Sequence, residues 1–244
     1  MIEIEDVSKR YGDKLAVEGL NLTVKKGEFF ALIGPNGAGK TTTVKMLVGL
    51  LRPSSGRIRI CGLDISRDHV LAKARLSYVP DQPYLYEKLS GREFLEFVGS
   101  VYRMEGSKCQ KEIEKWVELF ELRPYVDELC ESYSQGMKQR LVLSAALLHE
   151  PEVLVVDEPM VGLDPKTTRI VKEVLREKTR SGVTVFMCTH VLSVAEELAE
   201  RVGIIQNGRL TVLGTLQEIR GLAHSDKGLE DIFLKLTGAG DGRP

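Results

Sequence analysis

Ile2 and Ile4 alternate with Glu3 and Glu5, Leu20, Leu22 and Val24 with Asn21 and Thr23, and Ile58 and Ile60 with Arg57 and Arg59. A period of two puts the apolar side chains on one face, so these segments predict half-buried antiparallel strands. Residues 29–33, 153–156 and 183–188 are instead continuous apolar runs with β-branched residues, flanked by helical patterns. Such runs predict strands of a parallel sheet that is covered on both faces. Residues 44–51 and 141–148 read as helices.

Between about residues 85 and 150 the pattern is helical throughout. Ser90 and Glu93 form a capping-box pair with Leu89 and Phe94 as a hydrophobic staple, and Ser107 with Gln110 predicts the start of a second helix. That helix would present Ile113, Trp116, Val117 and Phe120, spaced i, i+3, i+4, i+7, with Trp116 as a core anchor of the segment rather than a ligand contact. The segment therefore reads as a helical subdomain inserted into an α/β core. After the last buried run, Ser193 with Glu196 predicts a cap and residues 201–206 an extended segment. Asn207-Gly208 marks a hairpin turn before residues 209–213, and Thr215 with Glu218 a further cap. Leu229, Ile232, Phe233 and Leu236 form a short amphipathic segment, and residues 238–244 are expected to be disordered.

Composition narrows the partners. The 244 residues can bury a full core, and 34 basic against 35 acidic residues leave a net charge of −1, which excludes a broad electrostatic attraction to nucleic acid or to an anionic membrane. Cys61, Cys109, Cys130 and Cys188 are scattered without metal-ligand spacing, as in a reduced cytosolic protein. No window of 18 apolar residues occurs and the first residues are acidic, so neither a membrane span nor a secretory signal is expected.

The chemistry enters with the run Gly34, Pro35, Asn36, Gly37, Ala38, Gly39, Lys40, Thr41 and Thr42, placed between a predicted strand and a predicted helix. Glycines let backbone N–H groups approach phosphate oxygens, and a helix start adds a favourable dipole, so this order suits a nucleoside triphosphate. Lys40 would meet the β- and γ-phosphates, Thr41 would offer its hydroxyl to Mg²⁺, and Thr42 a further phosphate contact. Asp157 and Glu158 end a buried strand, the ligand-binding edge of a parallel sheet. Asp157 suits Mg²⁺ and Glu158 an attacking water, although acids also follow core strands merely because the chain is emerging into solvent. Ser134, Gln135 and Gly136 before the apolar run 141–148 make a second anion-binding helix start, and an ordinary serine-capped helix would read the same way.

Five elements in order resemble the nucleotide-binding subunit of ATP-binding-cassette (ABC) transporters. They are the phosphate loop, the segment 78–82, the signature from Ser134 to Arg140, the acidic strand end followed by Gly162-Leu163-Asp164, and His190. The resemblance covers residues 1 to about 220. It implies an α/β fold: a P-loop NTPase core with a mixed sheet (1–84 and 151–220), an N-terminal antiparallel β subdomain and an inserted α-helical subdomain (about 85–150). Residues 221–244 would add a short helix and a tail.

The resemblance further implies an ATP hydrolase with ATP and Mg²⁺ as cofactors, and a composite site closed by a head-to-tail dimer. Tyr11 would stack on adenine, with a surface tyrosine as the alternative; Lys40, Thr41 and Asp157 would serve phosphate and metal, Glu158 the water, and His190 the γ-phosphate, or else a polar strand end. Ser134 and Gly136 would act on the opposite subunit's γ-phosphate. The glutamine usual after Tyr-x-Pro is Asp81 here, with Gln82 next. Gln82 is favoured for Mg²⁺ and water, because an extra carboxylate beside Asp157 and Glu158 is electrostatically unfavourable. The signature form, with Gln135 and Met137, resembles the subset working with separately encoded integral membrane permeases, mostly exporters. The implied partners are thus a second nucleotide-binding subunit, identical or related, and a permease, with the chain peripheral on the cytoplasmic membrane face and with no nucleic acid. A soluble cassette protein acting on nucleic acid or ribosomes is the competing reading.

Overall fold

A computed structural model describes residues 1–222 together with Leu229, Glu230 and Phe233. In chain order the elements are β1 (Ile2–Tyr11), β2 (Lys14–Val24), β3 (Phe29–Ile33), α1 (Lys40–Leu47), β4 (Ser55–Ile60), β5 (Leu63–Asp64), α2 (His69–Ala74) and β6 (Leu76–Val79). There follow α3 (Gly91–Val101), α4 (Gly106–Leu119), α5 (Gln135–Leu148), β7 (Val153–Asp157), α6 (Pro165–Arg180), β8 (Thr184–Thr189), α7 (Leu192–Leu198), β9 (Arg201–Gln206), β10 (Arg209–Thr215) and α8 (Leu216–Leu222).

The alternating segments pair as an antiparallel sheet of order β2-β1-β4-β5, and the continuous apolar runs form the centre of a second sheet of order β10-β9-β3-β8-β7-β6. In that sheet β9, β3, β8, β7 and β6 run parallel, and β10 returns antiparallel through the Asn207-Gly208 turn. The turn residues have φ of 50° and 80°, the left-handed pair that a two-residue hairpin needs.

Both faces of the second sheet are buried, which explains its apolar runs. Phe30 and Leu32 of β3 point into a core shared with Ile2, Ile4, Ile58 and Ile60 of the antiparallel sheet and Val44 and Leu47 of α1. Phe29, Ala31 and Ile33 point the other way, into a core shared with Leu95, Ile113, Trp116, Phe120 and Leu141 of the helical segment. Burying each of these large side chains contributes roughly 1.5–3 kcal/mol before conformational entropy is charged against it. Trp116 is 2% exposed and stacks on Phe120 at 6.0 Å, a core position.

Between β6 and β7 the chain forms α3, α4 and α5, with no strand among these residues. Ser90 caps α3 with the full box: its Oγ accepts from Glu93 N at 3.2 Å and its N–H donates to the Glu93 carboxylate at 2.8 Å. Thr215 and Glu218 do the same for α8. Two expected caps are corrected. The helix expected to start at Ser107 begins one residue earlier with Glu105 at its cap position, and the Ser107 hydroxyl bonds the Glu105 carboxylate at 2.6 Å. Ser193 lies inside α7, which starts after Val191. A Ser/Thr-x-x-Glu/Gln spacing also arises within a helix, and packing of the apolar face decides where the helix begins. Leu229 is buried and Phe233 packs on the larger core, whereas Ile232, Leu236 and the tail 238–244 lie outside the described residues.

Candidate nucleotide site

The parallel strands β3, β7 and β8 end side by side, and the loops leaving them wall a cleft of about 830 Å³, within the range of about 300–1,000 Å³ typical of small-molecule sites. Tyr11, Lys14, Asn36, Gly37, Gly39, Lys40, Thr41, Thr42, Asp81, Asp157, Glu158 and His190 all reach it.

At two positions the loop between β3 and α1 has room for backbone alone. A Cβ on Gly34 would stand 2.3 Å from the carbonyl oxygen of Ile205, and one on Gly39 2.7 Å from that of Ala16. Gly39, at φ 111°, occupies the cap position of α1 with no side chain capping its first N–H groups, and the first-turn residues Lys40, Thr41 and Thr42 line the cleft. Lys40 is buried, its ammonium donating to the Gly34 and Pro35 carbonyls at 2.7 and 3.1 Å. Thr43 is fully buried and ties its hydroxyl to Gly39 O at 2.9 Å, while Thr41 and Thr42 face the cleft. The β9–β10 turn braces the loop through Gly208 N donating to Ala38 O at 2.9 Å, a role the hairpin signal alone did not disclose.

At the end of β7, Asp157 is 1% exposed and its Oδ2 has no partner among the described residues. Burial, reinforced by the charges of Glu158 and Asp81, pushes its carboxyl up to about 6, against the opposing pull of the Thr41 hydroxyl and the Lys40 charge. Glu158 takes φ 50°, a left-handed conformation uncommon for a side chain of this size, where the chain turns off the strand. Three groups hold its carboxylate: Thr189 Oγ1 donates to Oε2 at 3.0 Å, His190 N to Oε1 at 2.9 Å, and the His190 ring Nδ1 lies 2.7 Å from Oε1. His190 thus meets Glu158 directly.

Thr189, 3% exposed, also accepts from Val191 N at 3.0 Å. Its polar character at the end of an apolar strand is the sequence signal for this positioning contact. Tyr11 lies at the cleft mouth, half exposed, with the Lys9 ammonium 5.4 Å from its ring centre. The preference for Gln82 over Asp81 finds no support in this geometry: Asp81 lines the cleft, and Gln82 does not.

Ser134 and Gly136 stand apart from the cleft. Ser134 is exposed, and its Oγ accepts from Met137 N at 3.3 Å at the start of α5. Gly136 faces Gly162 of the turn after Glu158, and Gln139 reaches the Pro159 carbonyl at 3.4 Å, so this helix start packs against its own chain's acidic strand end. Asp164 caps α6, accepting from Thr167 N at 2.9 Å, with Pro165 in the first helical turn.

Comparison with known proteins places this geometry. The family model described as ABC transporter matches residues 17–161. A linearmycin resistance ATP-binding protein of Bacillus subtilis (strain 168) is 36% identical over 90% of this chain and 70% of its own length. A daunorubicin resistance ATP-binding protein of Streptomyces coeruleorubidus is 37% identical over 97% and 74%, and a Nod factor export ATP-binding protein of Paraburkholderia xenovorans (strain LB400) 40% identical over 85% and 68%. Among solved structures, an ATP-binding subunit of an ABC transporter superposes with a TM-score of 0.93 at 31% identity, covering 97% of this chain and 99% of that one. A dimeric post-hydrolysis state of an ATP-binding cassette bound to ADP and Pi superposes at 0.81 and 26% identity, covering 88% and 99%. With the phosphate loop, the acidic strand end and the signature helix all in place, the chain belongs to the ABC transporter family, as an ATP-binding and ATP-hydrolysing subunit.

Proposed function

We propose that this subunit powers export through a separate integral membrane permease, working as a head-to-tail dimer that ATP closes and hydrolysis opens. The observation that carries the dimer is the separation of two phosphate-directed elements within one chain. Lys40, Thr41, Asp157 and Glu158 line the cleft, whereas the exposed Ser134 and the neighbouring Gly136 stand outside it, available to a facing copy. The similarity to a dimeric cassette that holds ADP and Pi supports the same reading. Export is supported by the resistance and export names of the relatives, which give the nucleic-acid alternative no support. No described helix is long and apolar enough to cross a membrane, which fits a subunit held peripherally at the cytoplasmic face by its permease. The working unit would be residues 1–220, with the core at 1–84 and 151–220 and the helical subdomain at about 85–150, paired with an identical or related second cassette.

Each residue has a role that follows from its setting. Lys40 and the loop N–H groups of residues 36–42 bind the phosphates, and Tyr11 takes the adenine face. The unpartnered Asp157 Oδ2 and the Thr41 hydroxyl are hard oxygen donors that fit Mg²⁺, which would supply charge neutralisation at the phosphates. Glu158, held by Thr189 and His190, accepts the proton of the attacking water, and His190 orients that carboxylate beside the γ-phosphate. The test is Glu158→Gln. ATP turnover is expected to fall by roughly 10² or more, and size-exclusion chromatography should show an ATP-dependent dimer. Near-normal turnover in that variant would remove Glu158 from the role, and a monomer under saturating ATP would count against the composite site.

A further inference from the structure

The cleft is lined by three carboxylates, Asp81, Asp157 and Glu158, and by Lys14 and Lys40. Of the three, Asp157 is the deeply buried one, and its Oδ2 has no partner among the described residues. Asp81 stands on the exposed segment after β6, next to a glutamine that does not reach the cleft. The Asp81 charge is felt at Asp157, whose carboxyl it helps to push up, and at Tyr78, whose hydroxyl is raised by burial first and by the Asp157 and Asp81 charges after it. Among the described residues no three His, Cys, Asp or Glu side chains converge closely enough to hold a bare ion. Asp81 therefore lines the site as an exposed carboxylate rather than as a third direct ligand.

We infer that Asp81 makes nucleotide binding at this cleft depend on a divalent cation, its carboxylate repelling the phosphates of a bare nucleotide and attracting the cation that accompanies them. The inference rests on the nucleotide reading of the cleft and adds a specificity role to a residue outside the phosphate loop. A neutral amide at this place would offer a dipole to both forms of the nucleotide and discriminate little between them. A full charge near a partly solvated surface changes the affinity for a bare polyanion by about three- to tenfold.

The test is a binding measurement, with the whole chain and with ADP, which is not turned over. Calorimetric titration at fixed ionic strength is run once in excess chelator and once in saturating Mg²⁺. Asp81→Asn should bind ADP in chelator about three- to tenfold more tightly than the wild type does, and the gain from Mg²⁺ should shrink by at least that factor. Asp81→Glu, which keeps the charge, should retain the wild-type gain. An equal Mg²⁺ gain in the wild type and in Asp81→Asn overturns the role of Asp81. A wild-type chain that binds no ADP in either buffer overturns the nucleotide reading of the cleft instead. Because Asp81 is exposed, folding of these variants is checked simply by their melting curves.

Discussion

Replacing Asp157 by asparagine should stabilise the nucleotide-free protein at pH 8 and change it little at pH 4. The carboxyl titrates at about 6 in the folded chain and at its ordinary 3.8 when unfolded, burial being the largest cause and the Glu158 and Asp81 charges adding to it. Between those values the folded state holds a proton that the unfolded chain has released. The stability associated with the neutral carboxyl is therefore whole below about pH 3.8, declines as the pH rises through that window, and is lost above about pH 6. At 1.36 kcal/mol per pH unit, the gap between 3.8 and about 6 corresponds to about 3 kcal/mol of strain carried by the ionised site at pH 8. Asparagine keeps the shape and removes the charge. For a chain of 244 residues, a relief of that size raises Tm by about 6–12 °C. Thermal unfolding followed by far-UV circular dichroism at pH 4 and pH 8, in the presence of chelator, measures it. A Tm gain that is absent at pH 8, or equal at the two pH values, refutes the argument that Asp157 is held ionised against its surroundings. The same variant should lose nucleotide-linked stabilisation in Mg²⁺, since the strained acceptor is what the cation relieves.

Two further substitutions test the frame around the site. Gly34→Ala places a Cβ 2.3 Å from a backbone oxygen and should cost a few kcal/mol in urea unfolding, whereas Gly37→Ala, at φ 79° with open space around its Cβ, should cost about 1 kcal/mol from backbone strain alone; equal costs would show that the close approach to Ile205 is not what requires glycine. Thr189→Val removes a hydrogen bond to the Glu158 carboxylate and the acceptor for Val191 N, and should lower kcat about tenfold with KM nearly unchanged, Thr189→Ser restoring it. A Val variant with normal kcat would mean that Glu158 is oriented without Thr189.

The elements legible in the sequence were those whose pattern is local. Period-two alternation at residues 2–5 and 57–60 and the continuous run 29–33 each named the right kind of sheet, because the number of buried faces is written directly into the side chains. β6 has no such local signal: four residues, Leu76 to Val79, carry too little pattern, and the strand is defined by its pairing with β7. Ser90 and Thr215 form their caps, while at Ser107 and Ser193 the helices start elsewhere, after Glu105 and after Val191.

At the site, the types of residue needed for phosphate, metal and water chemistry could be read from three short motifs, since glycines, a lysine and paired acids at fixed spacing have few other uses together. Their arrangement could not. That Glu158 is clasped by Thr189 and His190, that Asp81 rather than its neighbour reaches the cleft, and that a hairpin 170 residues downstream braces the phosphate loop are facts of parallel strands ending side by side. The chain alone determined its fold class, its nucleotide and its family resemblance, all carried by contiguous residues. Only the tertiary structure decided orientation and charge balance, because these depend on which side chains distant in sequence the sheet brings within a few ångströms, and on how much water it leaves between them.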